Sequence, residues 1–159
     1  MFSHTLPYLK HLTESSADIE ASVLVSIDGL IMESTLPEKT RTEWNTDCFG
    51  AICAGAVLLG QHASERLDSG GLEQVLIKCT QNHILMTYAG DEAILAVITK
   101  HAANLEMIFL EIKRVADTLT LIVNPNTIAD LNKTSYRLAE QKRLVPKDLC
   151  LACNTEYTE

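Results

Sequence analysis

The sequence lacks the motifs that identify the common nucleotide-binding and hydrolytic enzymes. It contains no glycine-rich loop followed by Lys and Ser or Thr, no Gly-x-Ser-x-Gly element and no His-Glu-x-x-His element. Its five histidines are far apart and do not have the spacing of metal ligands. We therefore expect a protein that is not an enzyme, needs no cofactor and does not bind GTP or ATP through a P-loop.

The sequence also lacks a hydrophobic run long enough to cross a membrane. The charge-free segment from Cys48 to Ser64 is shorter than the roughly 20 apolar residues that a bilayer requires, and it contains Gln61 and His62. The first seven residues do not combine a basic segment with an apolar core, as a signal peptide would. These features predict a cytoplasmic protein that does not insert into membranes.

Cysteine usage argues against a disulfide framework. The cysteines are odd in number and no secretion signal is evident, so we expect reduced thiols. Cys150-x-x-Cys153 has the spacing of a metal-binding pair, but tetrahedral zinc needs two further donors and no second pair follows. We interpret the pair as a chance occurrence, and a metal shared between two tails is the alternative.

Basic charge is scarce in the first three quarters of the chain. The net charge is −8, and residues 1–120 contain 8 Lys or Arg against 16 Asp or Glu, whereas residues 121–159 contain 5 of each. An acidic surface repels phosphate backbones and anionic lipid. Nucleic acid and membranes are therefore poor candidates for direct binding partners, and a protein with a basic patch is a better candidate. The basic residues of 121–159 are typical of a solvated helix face, with docking on an acidic surface as the alternative.

The apolar periodicity predicts eight elements. Helices are expected over 6–14, 42–67 and 104–119, and strands over 21–27, 30–35, 72–79, 83–88 and 92–99. Asp28-Gly29 predicts a type I′ turn, in which both central residues have positive φ.

The fold class is α/β (α+β), with the order α-β-β-α-β-β-β-α and a five-stranded antiparallel sheet between helices. The terminal helices are expected on one face and the long middle helix on the other. Residues 1–120 form the predicted domain, and 121–159 a tail with at most one helix.

The long middle helix is apolar on two faces. At 100° per residue, a broad stripe predicted to cover the sheet contains Cys48, Phe49, Ile52, Cys53, Ala56, Leu59, Ala63 and Leu67. A helix face in water is normally charged, but the opposite face carries Ala51, Ala54, Gly55 and Leu58. Small residues let two helix backbones approach closely. We therefore expect the same face of a second copy to cover this one.

Four segments carry a family resemblance. They are Ala21-Ser-Val-Leu-Val-Ser-Ile-Asp-Gly-Leu-Ile-Met, Gly71-Leu-Glu-Gln-Val-Leu-Ile, Gly90-Asp-Glu-Ala-Ile-Leu-Ala-Val, and Ala103-Asn-Leu with the helix to Leu119. Their order and spacing, from about residue 18 to 119, resemble the Roadblock family: roadblock-type dynein light chains, LAMTOR-like domains and the bacterial Mgl-type GTPase regulators. Glu106 stands where many relatives have glycine, and the tail has no counterpart in the minimal family domain.

The resemblance implies a function and an interface. Members are small non-enzymatic dimers that bind Ras-like GTPases or act as adaptors on motor complexes. Their dimer pairs the third strand edge to edge and places the two middle helices side by side. In this chain the implied contact residues are Ala51, Ala54, Gly55, Leu58, Leu72, Gln74 and Leu76. The resemblance therefore implies a homodimeric regulator of a Ras-like GTPase; the alternative is an adaptor in a motor, pilus or secretion complex.

Overall fold

The computed structural model describes residues 4–43 and 46–123. The elements are α1 (Leu6–Ser15), β1 (Ile19–Ser26), β2 (Ile31–Ser34), α2 (Glu38–Glu43), α3 (Thr46–Arg66), β3 (Val75–Lys78), β4 (Asn82–Tyr88), β5 (Ala93–Lys100) and α4 (Leu105–Val123). All eight predicted elements are present, and the short helix α2 is additional. The predicted start of the middle helix at Thr42 is wrong, because Thr42 lies in α2 and α3 begins at Thr46. The tail and the Cys150/Cys153 pair lie outside the described residues.

One antiparallel sheet forms the centre of the fold. Its strand order is β2-β1-β5-β4-β3, so the last strand in sequence lies in the middle. Residues 93–99 of β5 are buried throughout, as predicted for a strand covered on both faces. The edge strands β2 and β3 have only four residues each. Short edge strands limit uncontrolled pairing with other chains, because few backbone groups are offered.

Helices cover both faces of the sheet in the predicted arrangement. On one face α1 and α4 enclose a core that includes Leu9, Leu12, Leu24, Leu95, Ile112 and Leu119. On the other face α3 covers a second core that includes Val23, Val25, Cys53, Val57, Met86 and Ile94. The alternation of side chains along each strand supplies both cores, because successive residues point to opposite faces. This confirms the expected α/β layering.

The turn between β1 and β2 differs from the predicted type. Gly29 has φ +86°, but Asp68 is the only described residue other than glycine with a positive φ, so the type I′ prediction is wrong. The Gly29 amide donates to the Ser26 carbonyl at 2.9 Å, and the Ser26 amide donates to the Leu30 carbonyl at 2.8 Å. This is a three-residue hairpin loop in which only the glycine needs a positive φ.

Candidate self-association surface

The side of α3 that faces the sheet is built from small residues. Gly50, Cys53, Val57 and Gly60 follow each other at spacings of three and four, which places them on one helix face. A Cβ at Gly50 would collide with the Gly29 carbonyl oxygen, and one at Gly60 would lie 3.1 Å from Leu72 Cδ2. The helix therefore lies very close to the first hairpin at its start and to the segment before β3 near its end.

The opposite side of α3 is apolar and exposed. It carries Cys48, Ala51, Ile52, Gly55, Leu58 and Leu59, which together we name the α3 stripe. Ile52, Leu58 and Leu59 are 54%, 55% and 72% exposed. None of the six residues is charged. A face of this composition is typical of a surface that another molecule covers.

The predicted core face of this helix is partly wrong. Phe49, Cys53 and Ala56 pack against the core as predicted. Ile52, Leu59 and Leu67 were also expected there, but they are exposed, as are Cys48 and Ala63. For Ile52 and Leu59 the reason is steric: a side chain at Gly50 would collide with the Gly29 carbonyl oxygen, so the side of α3 that carries Gly50 faces the hairpin and theirs faces solvent. Leu67 lies beyond the end of α3. The spacing of Gly50 and Gly60 with Cys53 and Val57 was the sequence signal for the buried side.

Three of the four contact residues predicted on the helix lie on the α3 stripe. Ala51, Gly55 and Leu58 are exposed, and a Cβ at Gly55 would meet no atom within 4 Å. Ala54 is half-buried and packs against the core beneath α3. Ile52 and Leu59, which sequence reasoning assigned to the core, therefore join the surface instead.

The contact residues predicted near the third strand are placed differently. Leu72 and Gln74 precede β3, which begins at Val75, so the predicted strand 72–79 is too long. Leu72 packs against the core beneath α3, and Leu76 packs against the core beneath α1 and α4. Their side chains are half-buried within the chain, as is that of Gln74. What β3 offers a second copy is its outer backbone edge, which pairs with no strand in the described part of the chain.

The described residues bring together neither a metal site nor a membrane-spanning helix. Across 4–43 and 46–123, no three or more His, Cys, Asp or Glu side chains form a group that could hold a metal ion. None of the helices in these ranges is both long enough and apolar enough to cross a bilayer.

Burial makes the core-facing cysteine of α3 unreactive. It raises the pKa of the Cys53 thiol to about 12, and the thiolate is the nucleophilic form. Cys79 is exposed. We expect iodoacetamide at pH 8 to modify Cys79 in the folded protein and to spare Cys53, as mapped by peptide mass spectrometry. Modification in 6 M urea serves as the control in which both thiols react. Equal labelling of both cysteines in the folded protein would contradict this placement of α3.

The layered sheet and the positions of its helices define the class of fold, and comparison with known proteins identifies a family of small regulatory and adaptor domains. A family profile for the Roadblock/LC7 domain matches residues 9–99. The chain is 34% identical over 101 residues to the uncharacterized protein MJ0714 of Methanocaldococcus jannaschii, and the match covers 64% of this chain and 81% of that protein. The chain belongs to the Roadblock/LC7 family.

Solved structures show the same fold. Myxococcus xanthus MglB is 21% identical, with a TM-score of 0.69 over 78% of this chain and 98% of MglB. A structure described as MglB with tetrameric arrangement is 16% identical, with a TM-score of 0.67 over 76% of this chain and 88% of that one. At these identities the likeness concerns the fold.

Proposed function

We propose that this chain is a homodimeric, non-enzymatic regulator that binds a small Ras-like GTPase and modulates its nucleotide cycle in the cytoplasm. The observation that carries the proposal is the α3 stripe, an uncharged apolar face that a single copy leaves exposed. Membership of the Roadblock/LC7 family supports a regulatory or adaptor role. The tetrameric arrangement named for one MglB structure supports self-association.

The proposed dimer pairs the two α3 helices in antiparallel orientation, with Gly55 at the two-fold axis. In this register Ala51 lies opposite Leu59 of the second copy, and Ile52 lies opposite its Leu58. The first pair combines a small side chain with a large one, and the second combines two large side chains. Glycine meets glycine at the centre, where the backbones approach most closely. The β3 edge, which pairs with no strand in the described part of the chain, is a second surface that we propose for contact between the two copies.

The GTPase part of the proposal is tested with Ras-like GTPases encoded near the gene. We expect this protein to change the rate of single-turnover GTP hydrolysis or of nucleotide exchange by at least about tenfold, or 1.4 kcal/mol in the barrier. We also expect binding that differs between the GDP-loaded and GTP-loaded GTPase. Leu110→Ser, a change on the outer face of α4 and outside the α3 stripe, should retain both effects.

This role would be contradicted if the rates of hydrolysis and exchange were unchanged and the GDP-loaded and GTP-loaded forms of the GTPase bound equally well. If a pull-down then recovered a component of a motor, pilus or secretion complex, the adaptor alternative would replace it.

A further inference from the structure

A cleft lies at the end of the sheet where the first hairpin turns. It has a volume of about 480 Å³ and lies between this hairpin and Val123, the last residue of α4. Its apolar lining comes from Ile27, Leu30, Met32 and Val123. The cleft contains none of the residues of the α3 stripe. Two of its lining residues, Ile27 and Asp28, also line a neighbouring depression that includes Leu58, so the cleft lies next to the α3 stripe without sharing its residues.

The hairpin tip beside this cleft exposes large apolar side chains. Ile27 is 48% exposed and Leu30 is 66% exposed. The tip is held in place by backbone hydrogen bonds within the hairpin, and by a further one in which the Ile27 amide donates to the Glu92 carbonyl at 3.1 Å. These two side chains are thus presented to solvent from a fixed backbone. Apolar groups that are already ordered lose little entropy on binding, which favours their use as contact residues.

The charged groups at the cleft all have one sign. Asp28 and Glu92 line it, and both are exposed. Asp91 is the neighbour of Glu92 in the β4–β5 turn and is also exposed. No described Lys, Arg or His lines the cleft. A ligand that places its apolar groups in the cleft is therefore favoured when it carries positive charge next to them.

We propose that this cleft binds a peptide segment of a partner protein in which one or two large apolar side chains are flanked by Lys or Arg. The apolar side chains occupy the space between Leu30, Met32 and Val123. The basic side chains pair with Asp28 and Glu92. Nucleic acid and anionic lipid are disfavoured as ligands, because their phosphates would meet these carboxylates.

The test selects ligands without assuming the partner. Random dodecapeptides displayed on phage are selected against the full-length chain, and the strongest binder is synthesised with a fluorescein label for anisotropy titration. We expect the selected peptides to be enriched in Leu, Ile or Phe together with Lys or Arg. We expect affinity to fall as salt is raised from 0.05 to 0.5 M, because the flanking charges are exposed.

Variants localise the binding. Leu30→Ser and Glu92→Lys should each raise Kd by about tenfold, the effect of losing a central contact. Leu110→Ser is the matched apolar control, since Leu110 is also 66% exposed, and Glu14→Lys is the charge control on α1. Both controls should stay within about twofold of the wild type. Circular dichroism establishes that every variant is folded.

Leu59→Glu, a change on the α3 stripe at a residue that lines neither this cleft nor the neighbouring depression, should leave peptide binding unchanged, which separates this inference from the proposed dimer and its function. Failure to select any peptide, selection of acidic peptides, or equal losses in the Leu110→Ser and Glu14→Lys controls would overturn the proposal. So would peptide-induced shifts in an amide NMR spectrum that map to α3 and spare Ser26–Leu30.

Discussion

Replacing Leu58 with glutamate is expected to convert the protein from a dimer into a monomer. Leu58 is exposed on the α3 stripe, so the carboxylate is solvated in a single copy and the fold should be retained. In the proposed dimer the same carboxylate would lie in an apolar contact with no cation among the stripe residues. Removing one unpaired charge from water costs several kcal/mol. Light scattering should show a mass that falls from twice 17.5 kDa to 17.5 kDa.

Leu110→Glu is the matched control for this change. Leu110 is exposed on α4, on the other side of the sheet from α3, and its replacement adds the same charge without touching the stripe. The mass of this variant should equal that of the wild type. A Leu58→Glu protein that kept the dimer mass would show that the α3 stripe is not the interface.

Gly50→Ala is expected to destabilise the fold by about 1–3 kcal/mol, the usual cost of forcing extra volume into a packed contact. The new methyl group would collide with the Gly29 carbonyl oxygen, which belongs to backbone and cannot rotate away. Alanine is a better helix former than glycine by about 1 kcal/mol, so a net loss of stability would mean that the collision outweighs this gain. Urea unfolding monitored by circular dichroism measures the effect.

Gly55→Ala on the same helix provides the comparison. A Cβ there would meet no atom within 4 Å, so only the gain in helix propensity remains and stability should rise. Both substitutions should be measured in the Leu58→Glu background, because dimerisation adds to apparent stability. If Gly50→Ala were as stable as Gly55→Ala, the close approach of α3 to the first hairpin would be refuted.

The order of every described element except α2 could be predicted from the sequence, because each of the others carries a clear local pattern. The continuous apolar run Ile94–Ile98 indicated a strand buried on both faces, and this strand is central in the sheet. The regular spacing from Leu105 to Leu119 predicted α4, whose inward residues are buried as expected. Alternation along a strand and three-to-four spacing along a helix depend on local geometry, so they can be found without knowing the fold.

The orientation of α3 could not be predicted in the same way, because the helix is apolar on both sides. Periodicity ranks faces by hydrophobicity, and here Ile52, Leu58 and Leu59 are exposed while the side that carries Gly50 and Cys53 faces the sheet. What decides the orientation is the contact between Gly50 and Gly29, which lie in different elements. Such a contact depends on tertiary structure. The spacing of small residues is the only sign of it in the sequence.

The two surfaces differ in how far the sequence could reveal them. Ala51, Gly55 and Leu58 could be identified as surface candidates because their spacing of four and three residues places them on one face of a single helix. The cleft at the hairpin could not be identified, since Leu30, Glu92 and Val123 are brought together only by the fold. The predicted edge strands were also too long. Leu72, for example, continues the apolar pattern of the strand that follows it, but its side chain packs against α3.

In the proposed dimer, a second copy of the chain shields the α3 stripe from water. Sedimentation equilibrium of the full-length wild-type protein over a range of concentrations tests it most directly. We expect a species of twice 17.5 kDa that dissociates only on dilution. A single 17.5 kDa species at the highest concentration, with the protein folded and monodisperse, would contradict it.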